Sequence, residues 1–160
     1  MSVNVARAGA PPVDILVTDA DTRPIVVVEV KNQEDLSRED AVRLFRDLTS
    51  YAAFPAAPFV LFVSQEYGYL WKDPLLTAPG PPTLEFPLDE VVGRYVPASS
   101  PPRRLSSREV QIVVARWLLH LASHGEDVQS SPELMLRDMG FIAALARAIV
   151  IPDPYVCSFM

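Results

Sequence analysis

Several things are scarce in this chain, and each scarcity excludes something. Cys157 is the only cysteine, which rules out an intrachain disulfide and a thiolate zinc site and leaves a buried bystander as its expected role. The six glycines, at 9, 68, 80, 93, 125 and 140, form no phosphate-cradling loop. No serine stands in a nucleophile elbow. No apolar run approaches the ~20 residues of a membrane-spanning helix. The opening residues carry neither a basic flank nor a hydrophobic stretch, so a cytoplasmic protein without membrane contact is expected. Positive charge is short as well: the net charge is −6, and only Lys31 and Lys72 of the 14 basic residues are lysines. Strong non-specific nucleic-acid binding rests on phosphate neutralisation and is disfavoured by that balance, although a local basic patch is compatible with it.

What is present suits one domain with a sizeable core: 160 residues, 49% apolar and 21% charged. The run from Ile25 to Lys31 is a β-branched strand that ends with a carboxylate and an ammonium, Glu29 and Lys31, in apolar company. Side chains at i and i+2 share a strand face, so the two point the same way, with Ile25 and Val27 behind them. Buried charge costs several kcal/mol unless it is paired or binds a metal. Such a pair on one face points to function rather than stability. The same run also suits a half-exposed edge strand, and that alternative stays open.

Residues 14–18 form a second strand candidate, and Asp19 to Pro24 has turn chemistry. A hairpin with its turn centred between Asp21 and Thr22 sets Asp14 opposite Glu29. Directly opposed side chains lie about 4.5–5.5 Å apart at Cβ. Two carboxylates at that spacing repel unless something cationic lies between them. Ser37 and Asp40 resemble a capping box, and Ala41, Leu44, Phe45, Leu48, Tyr51 and Ala52 recur at helical spacing. Residues 59–63 read as a buried strand and 69–72 as another, separated by a turn over 64–68. Residues 73–105 read as a proline-rich connector, with 84–86 as a short strand. A second helix begins at a cap on Ser106 or Ser107 and ends at Gly125. A third opens at Ser131-Pro132-Glu133 and runs to Ile149, with Gly140 as a break point. The tail from Ile151 is expected to be extended.

Pro12-Val13-Asp14, the hairpin, Glu29-Val30-Lys31, the capped helix and the next buried strand together resemble the PD-(D/E)XK nuclease superfamily over residues 12–72, with one residue inserted in the "PD" element. The resemblance implies an α/β fold: a restriction-endonuclease-like mixed central sheet flanked by helices, here with a helical C-terminal part over residues 106–160. It also implies a Mg²⁺ (or Mn²⁺) site. Asp14 and Glu29 would be metal ligands and Lys31 the water-activating group of a phosphodiesterase acting on DNA or, less readily, RNA. Such a metal suits carboxylate oxygens, waters and phosphate oxygens, and it polarises a scissile phosphate. Some branches of the superfamily carry a Gln-x-x-x-Tyr element on the following helix. Asp47-Leu48-Thr49-Ser50-Tyr51 has the tyrosine and an Asp in place of Gln. Asp47 and Tyr51 are therefore auxiliary candidates, Tyr51 doubling as an ordinary core residue.

One departure stands out. The superfamily core begins with a helix and a first strand, and only thirteen residues precede Asp14. Val3 to Arg7 would supply a stub of that strand, while a later helix (106–123 or 132–149) or a partner would fill the helix position. Arg103, Arg104, Arg108 and Arg116 form the one basic cluster, and the first three are candidates for phosphate contact. His120 and His124 have a spacing that zinc uses but no evident third ligand. The reading from a different class is a catalytically inactive nuclease-like module for protein interaction, or a dimeric structural protein presenting apolar helix faces.

Overall fold

The computed structural model describes residues 13–50, 54–74, 80–96 and 104–152. Tyr51, Arg103, Cys157 and the Val3–Arg7 stub lie outside them. Six strands form one mixed sheet: β1 (Ile15–Thr18), β2 (Pro24–Val30), β3 (Phe59–Val63), β4 (Tyr67–Lys72), β5 (Leu84–Pro87) and β6 (Ile149–Pro152). Their spatial order is β5-β4-β3-β2-β1-β6. β2 and β3 run parallel and every other neighbouring pair is antiparallel. The parallel step requires a crossover, and α1 (Arg38–Thr49) makes it. Its start is set by the anticipated capping box, with Ser37 Oγ accepting from the Asp40 N–H and the Asp40 carboxylate accepting from the Ser37 N–H.

The valine-rich strand is central, between β1 and β3, so the edge-strand alternative does not hold. Two-residue alternation divides its side chains between two cores. Val26, Val28 and Val30 join Phe59, Leu61, Val63 and Leu70 under α3 (Ser107–His124). Val27 faces the other way, with Val60, Phe62, Tyr69 and Trp71, under α1. Phe45 of α1 stacks on Trp71, with ring centroids 4.3 Å apart. Ile25 departs from the expected alternation and packs with the α3-side cluster. The register slips between Val17 and Thr18, so that Thr18 faces Pro24.

Several expectations for the C-terminal half are corrected. The connector contains the expected short strand, β5, but also a helix that was not expected, α2 (Asp89–Tyr95), whose Val91 and Val92 are buried. The third helix does not run to Ile149. It stops as α4 (Ser131–Asp138), turns at Gly140 with φ +85°, and resumes briefly as α5 (Phe141–Leu145). Glycine enters that left-handed conformation without a Cβ penalty, which makes the position a natural helix stop. Ile149 instead begins β6, which pairs with β1 through Ile15↔Pro152 to Thr18↔Ile149. A strand from the far end of the chain thus covers the β1 edge. Glu133 ties the helices together. It is 1% exposed, takes two hydrogen bonds from Arg94 (3.1 and 2.8 Å) and one from Trp117 Nε1 (2.9 Å), and Ser130 Oγ donates to it at 2.6 Å. Among the described residues, no helix is long and apolar enough to cross a membrane.

Candidate functional site

The hairpin register is the one the sequence suggests. Ile15, Leu16 and Val17 face Val28, Val27 and Val26, and Asp14, just before the ladder, lies close enough to Glu29 for its charge to act on it. Asp14 is anchored there by three hydrogen bonds. Its N–H donates to the Val28 carbonyl (3.2 Å) and its Oδ2 accepts from the Val30 N–H (2.7 Å). Its own carbonyl accepts from Gln111 Nε2 of α3 at 2.8 Å. The side-chain bond to Val30 replaces a ladder bond at the end of the strand. That leaves Asp14 Oδ1 for another partner.

Glu29 is 3% exposed. One oxygen, Oε1, lies 3.3 Å from Lys31 Nζ. The other, Oε2, is buried with no hydrogen-bond partner. An orphaned buried carboxylate oxygen is costly and calls for an explanation. Burial, then the negative charge of Asp14, pushes the Glu29 carboxyl up from near 4.5 to about 8, against the opposing pull of Lys31. The closeness of the two carboxyls adds to that upward push. Two acids and a lysine are therefore gathered at the carboxyl end of β2, with Glu29 on the α1 face. In open α/β sheets, the carboxyl ends of the strands are where ligands bind.

The loop leaving this site is held by Asn32. Its Nδ2 donates to the Leu105 carbonyl (2.7 Å), and its Oδ1 accepts from the Gln65 N–H (3.2 Å) and from Arg104 (3.0 Å). Arg104 also reaches Glu66 Oε2 at 2.7 Å, while Glu66 Oε1 is buried without a hydrogen-bond partner. Of the candidate phosphate contacts, Arg104 thus lies one residue away from Lys31 through Asn32. Arg108 is exposed on the first turn of α3, three residues before Gln111. Arg116 is exposed farther along the same helix.

Asp47 is not brought to the site. It is exposed on α1, and the acidic and basic groups acting on Glu29 are Asp14 and Lys31. The two histidine rings lie 5.4 Å apart and are tilted by 37°. His120 borders an open polar cleft of about 490 Å³ with Glu90, Arg94, Asp127 and Glu133, away from the acids. Gln111 and Asn32 are the site residues that sequence reasoning missed. Neither belongs to a motif, and Gln111 lies 97 positions from the carbonyl it holds.

A divalent metal can be tested against this donor set. Among the described residues, no three His, Cys, Asp or Glu side chains gather as around a closed metal site. Mg²⁺ keeps several waters and takes one or two carboxylates plus phosphate oxygens. The unpartnered Glu29 Oε2 and the nearby Asp14 carboxyl would be the two carboxylate donors of such an ion. Set against known protein families, characterised proteins and solved structures, the chain matches none of them.

Proposed function

We propose that the protein is a metal-dependent phosphodiesterase acting on nucleic acid, DNA in the first instance, with a restriction-endonuclease-like core. The carrying observation is the buried, unpartnered Glu29 Oε2 next to the Asp14 carboxyl, with Lys31 Nζ 3.3 Å from the other Glu29 oxygen. What sets it apart from Glu66, whose Oε1 is likewise buried without a partner, is the second carboxyl and the lysine beside it. The hairpin leading into a parallel β2–α1–β3 unit supports the finer fold assignment, and β6 stands on the β1 edge where the superfamily's preceding strand is expected. A cytoplasmic setting goes with a nucleic-acid substrate.

Asp14 and Glu29 would hold Mg²⁺ or Mn²⁺. When bound, such an ion acts as a Lewis acid on the scissile phosphate and lowers the pKa of a bound water. The residues themselves do the rest. The Val30 N–H and Gln111 hold Asp14 in place. Burial keeps Glu29 from being fully solvated. Lys31, tethered through its N–H to the Val63 carbonyl at 2.8 Å, presents its ammonium where negative charge develops on phosphate. Arg104, bonded to Asn32 next to Lys31, would meet the backbone of a bound strand.

The test is cleavage of single- and double-stranded DNA and of RNA with Mg²⁺ or Mn²⁺. Lys31→Ala should abolish cleavage while leaving folding intact. Absence of cleavage in every combination, together with a melting temperature indifferent to metal, would defeat the proposal. A second reading, a nuclease-like assembly module, draws on Ile112 and Leu119. These two are exposed one heptad apart on α3, at 46% and 49%. A protein that sediments as a monomer at high concentration would remove its dimeric form.

A further inference from the structure

We infer that Gln111 is a positioning residue for the acid pair, so that α3 is part of the site and not only its support. The inference rests on the reading of Asp14 and Glu29 as metal ligands. Asp14 precedes the first β1 residue in the ladder, since the pairings of β1 with both β2 and β6 begin at Ile15. Its carbonyl is turned toward α3, where Gln111 Nε2 donates to it at 2.8 Å. A carbonyl accepts only from the NH₂ end of the amide, so the orientation of Gln111 is set. The N–H of the same residue is held by Val28, and its carboxylate by the Val30 N–H. Removing the Gln111 bond takes away one of the three attachments that fix Asp14. The helix is well placed to act as a fixed anchor. It is capped by Ser106 and Glu109, and it is seated through Val110, Val113 and Val114, which are 0–7% exposed.

The choice of side chain is chemically informative. A lysine or arginine at 111 could also donate, but its charge would oppose a divalent cation at Asp14. A neutral amide anchors the ligand and leaves the negative charge of the pair intact. Partners that orient metal ligands from outside the coordination shell typically contribute 10–100-fold to metal affinity.

Mn²⁺ titration of the full chain, followed by its paramagnetic resonance signal, tests this with four variants. Gln111→Met keeps the volume and loses the donor, and it should weaken Mn²⁺ binding about 10-fold. Gln111→Glu adds favourable charge but turns an acceptor toward the Asp14 carbonyl, so it too should weaken binding. Tighter binding in Gln111→Glu, or unchanged binding in both variants, overturns the inference. Asp14→Asn and Glu29→Gln report on the metal reading itself: if both bind Mn²⁺ like the parent, or the parent binds none, that reading fails. Amide exchange needs no metal and then decides the inference alone. Gln111→Met should speed exchange of the Val30 N–H, which Asp14 Oδ2 holds, while leaving the Val27 N–H unchanged. Unaltered Val30 exchange would refute a positioning role.

Discussion

Glu29→Gln is expected to stabilise this protein at alkaline pH and to do little at acid pH. In the unfolded chain the carboxyl ionises near 4.5, whereas burial and the neighbouring Asp14 hold it up at about 8 in the folded state. The folded form therefore keeps a proton that the unfolded form has lost throughout that interval. The contribution to stability is complete below pH 4.5, declines as pH rises, and levels off above about 8. At up to 1.36 kcal/mol per pH unit, the decline between pH 5 and pH 8 amounts to roughly 3 kcal/mol. Gln has nearly the same shape and does not titrate. Urea unfolding of both proteins from pH 5 to pH 9 isolates the effect, because every other titration cancels in the difference. The variant should gain on the parent by roughly 3 kcal/mol across that range. Adding Asp14→Asn to the parent should shrink the gain, since the charge of Asp14 is one of its causes. A difference that stays flat with pH would show that Glu29 ionises normally, and the argument from its orphaned oxygen would lose its electrostatic support.

Four further outcomes follow from the same structure. Mg²⁺ at about 100 times its dissociation constant should stabilise the parent by roughly 2.7 kcal/mol in thermal unfolding and leave Glu29→Gln and Asp14→Asn unmoved. Gly68→Ala should destabilise by roughly 1–3 kcal/mol, because the added Cβ would run into the ring of fully buried Phe86; denaturant titration reads it. Arg94→Met strands Glu133, so calorimetry should find a loss of about 3–5 kcal/mol at neutral pH. Burial alone would raise the Glu133 carboxyl, but Arg94, Ser130 and Trp117 bond to its charged form and hold it low. That stabilisation is present above pH 4.5, fades as pH falls below it, and should be smaller in Arg94→Met, which keeps only the Ser130 and Trp117 bonds. Ser37→Ala removes one half of the capping box and should cost about 1 kcal/mol.

Much of the candidate site was legible before any coordinates, because it is local. A hairpin constrains its own register, and turn chemistry between Asp19 and Pro24 was enough to pair Ile15 with Val28 and so bring Asp14 near Glu29. Strand alternation then set Glu29 and Lys31 on one face, and the ion pair at 3.3 Å agrees with it. The slip at Thr18 and the departure of Ile25 were not readable, since a bulge depends on how the turn closes, here with Thr22 at φ 64°. In the C-terminal half the errors had a common source. Ile149 fits a helical repeat as well as a strand, and only an unfilled β1 edge selects the strand. Likewise, α2 is only seven residues long, too short for periodicity to rise above a proline-rich background.

By itself, the sequence determined the elements whose physics lies within a few residues: the hairpin and its register, the capped α1, the buried strands, and the gathering of two acids and one lysine at the carboxyl end of β2. The tertiary structure alone decided that β2 is interior, that β6 closes the β1 edge, and that Glu29 is dry enough to hold its proton near neutral pH. It also brought Gln111 to Asp14 and Arg104 to Asn32. Desolvation and long-range hydrogen bonds depend on which distant segments pack together, and no local pattern in the chain carries that information. The acid pair is written in a short stretch, whereas its burial, its unpartnered oxygen and its anchoring come from residues up to 97 positions away.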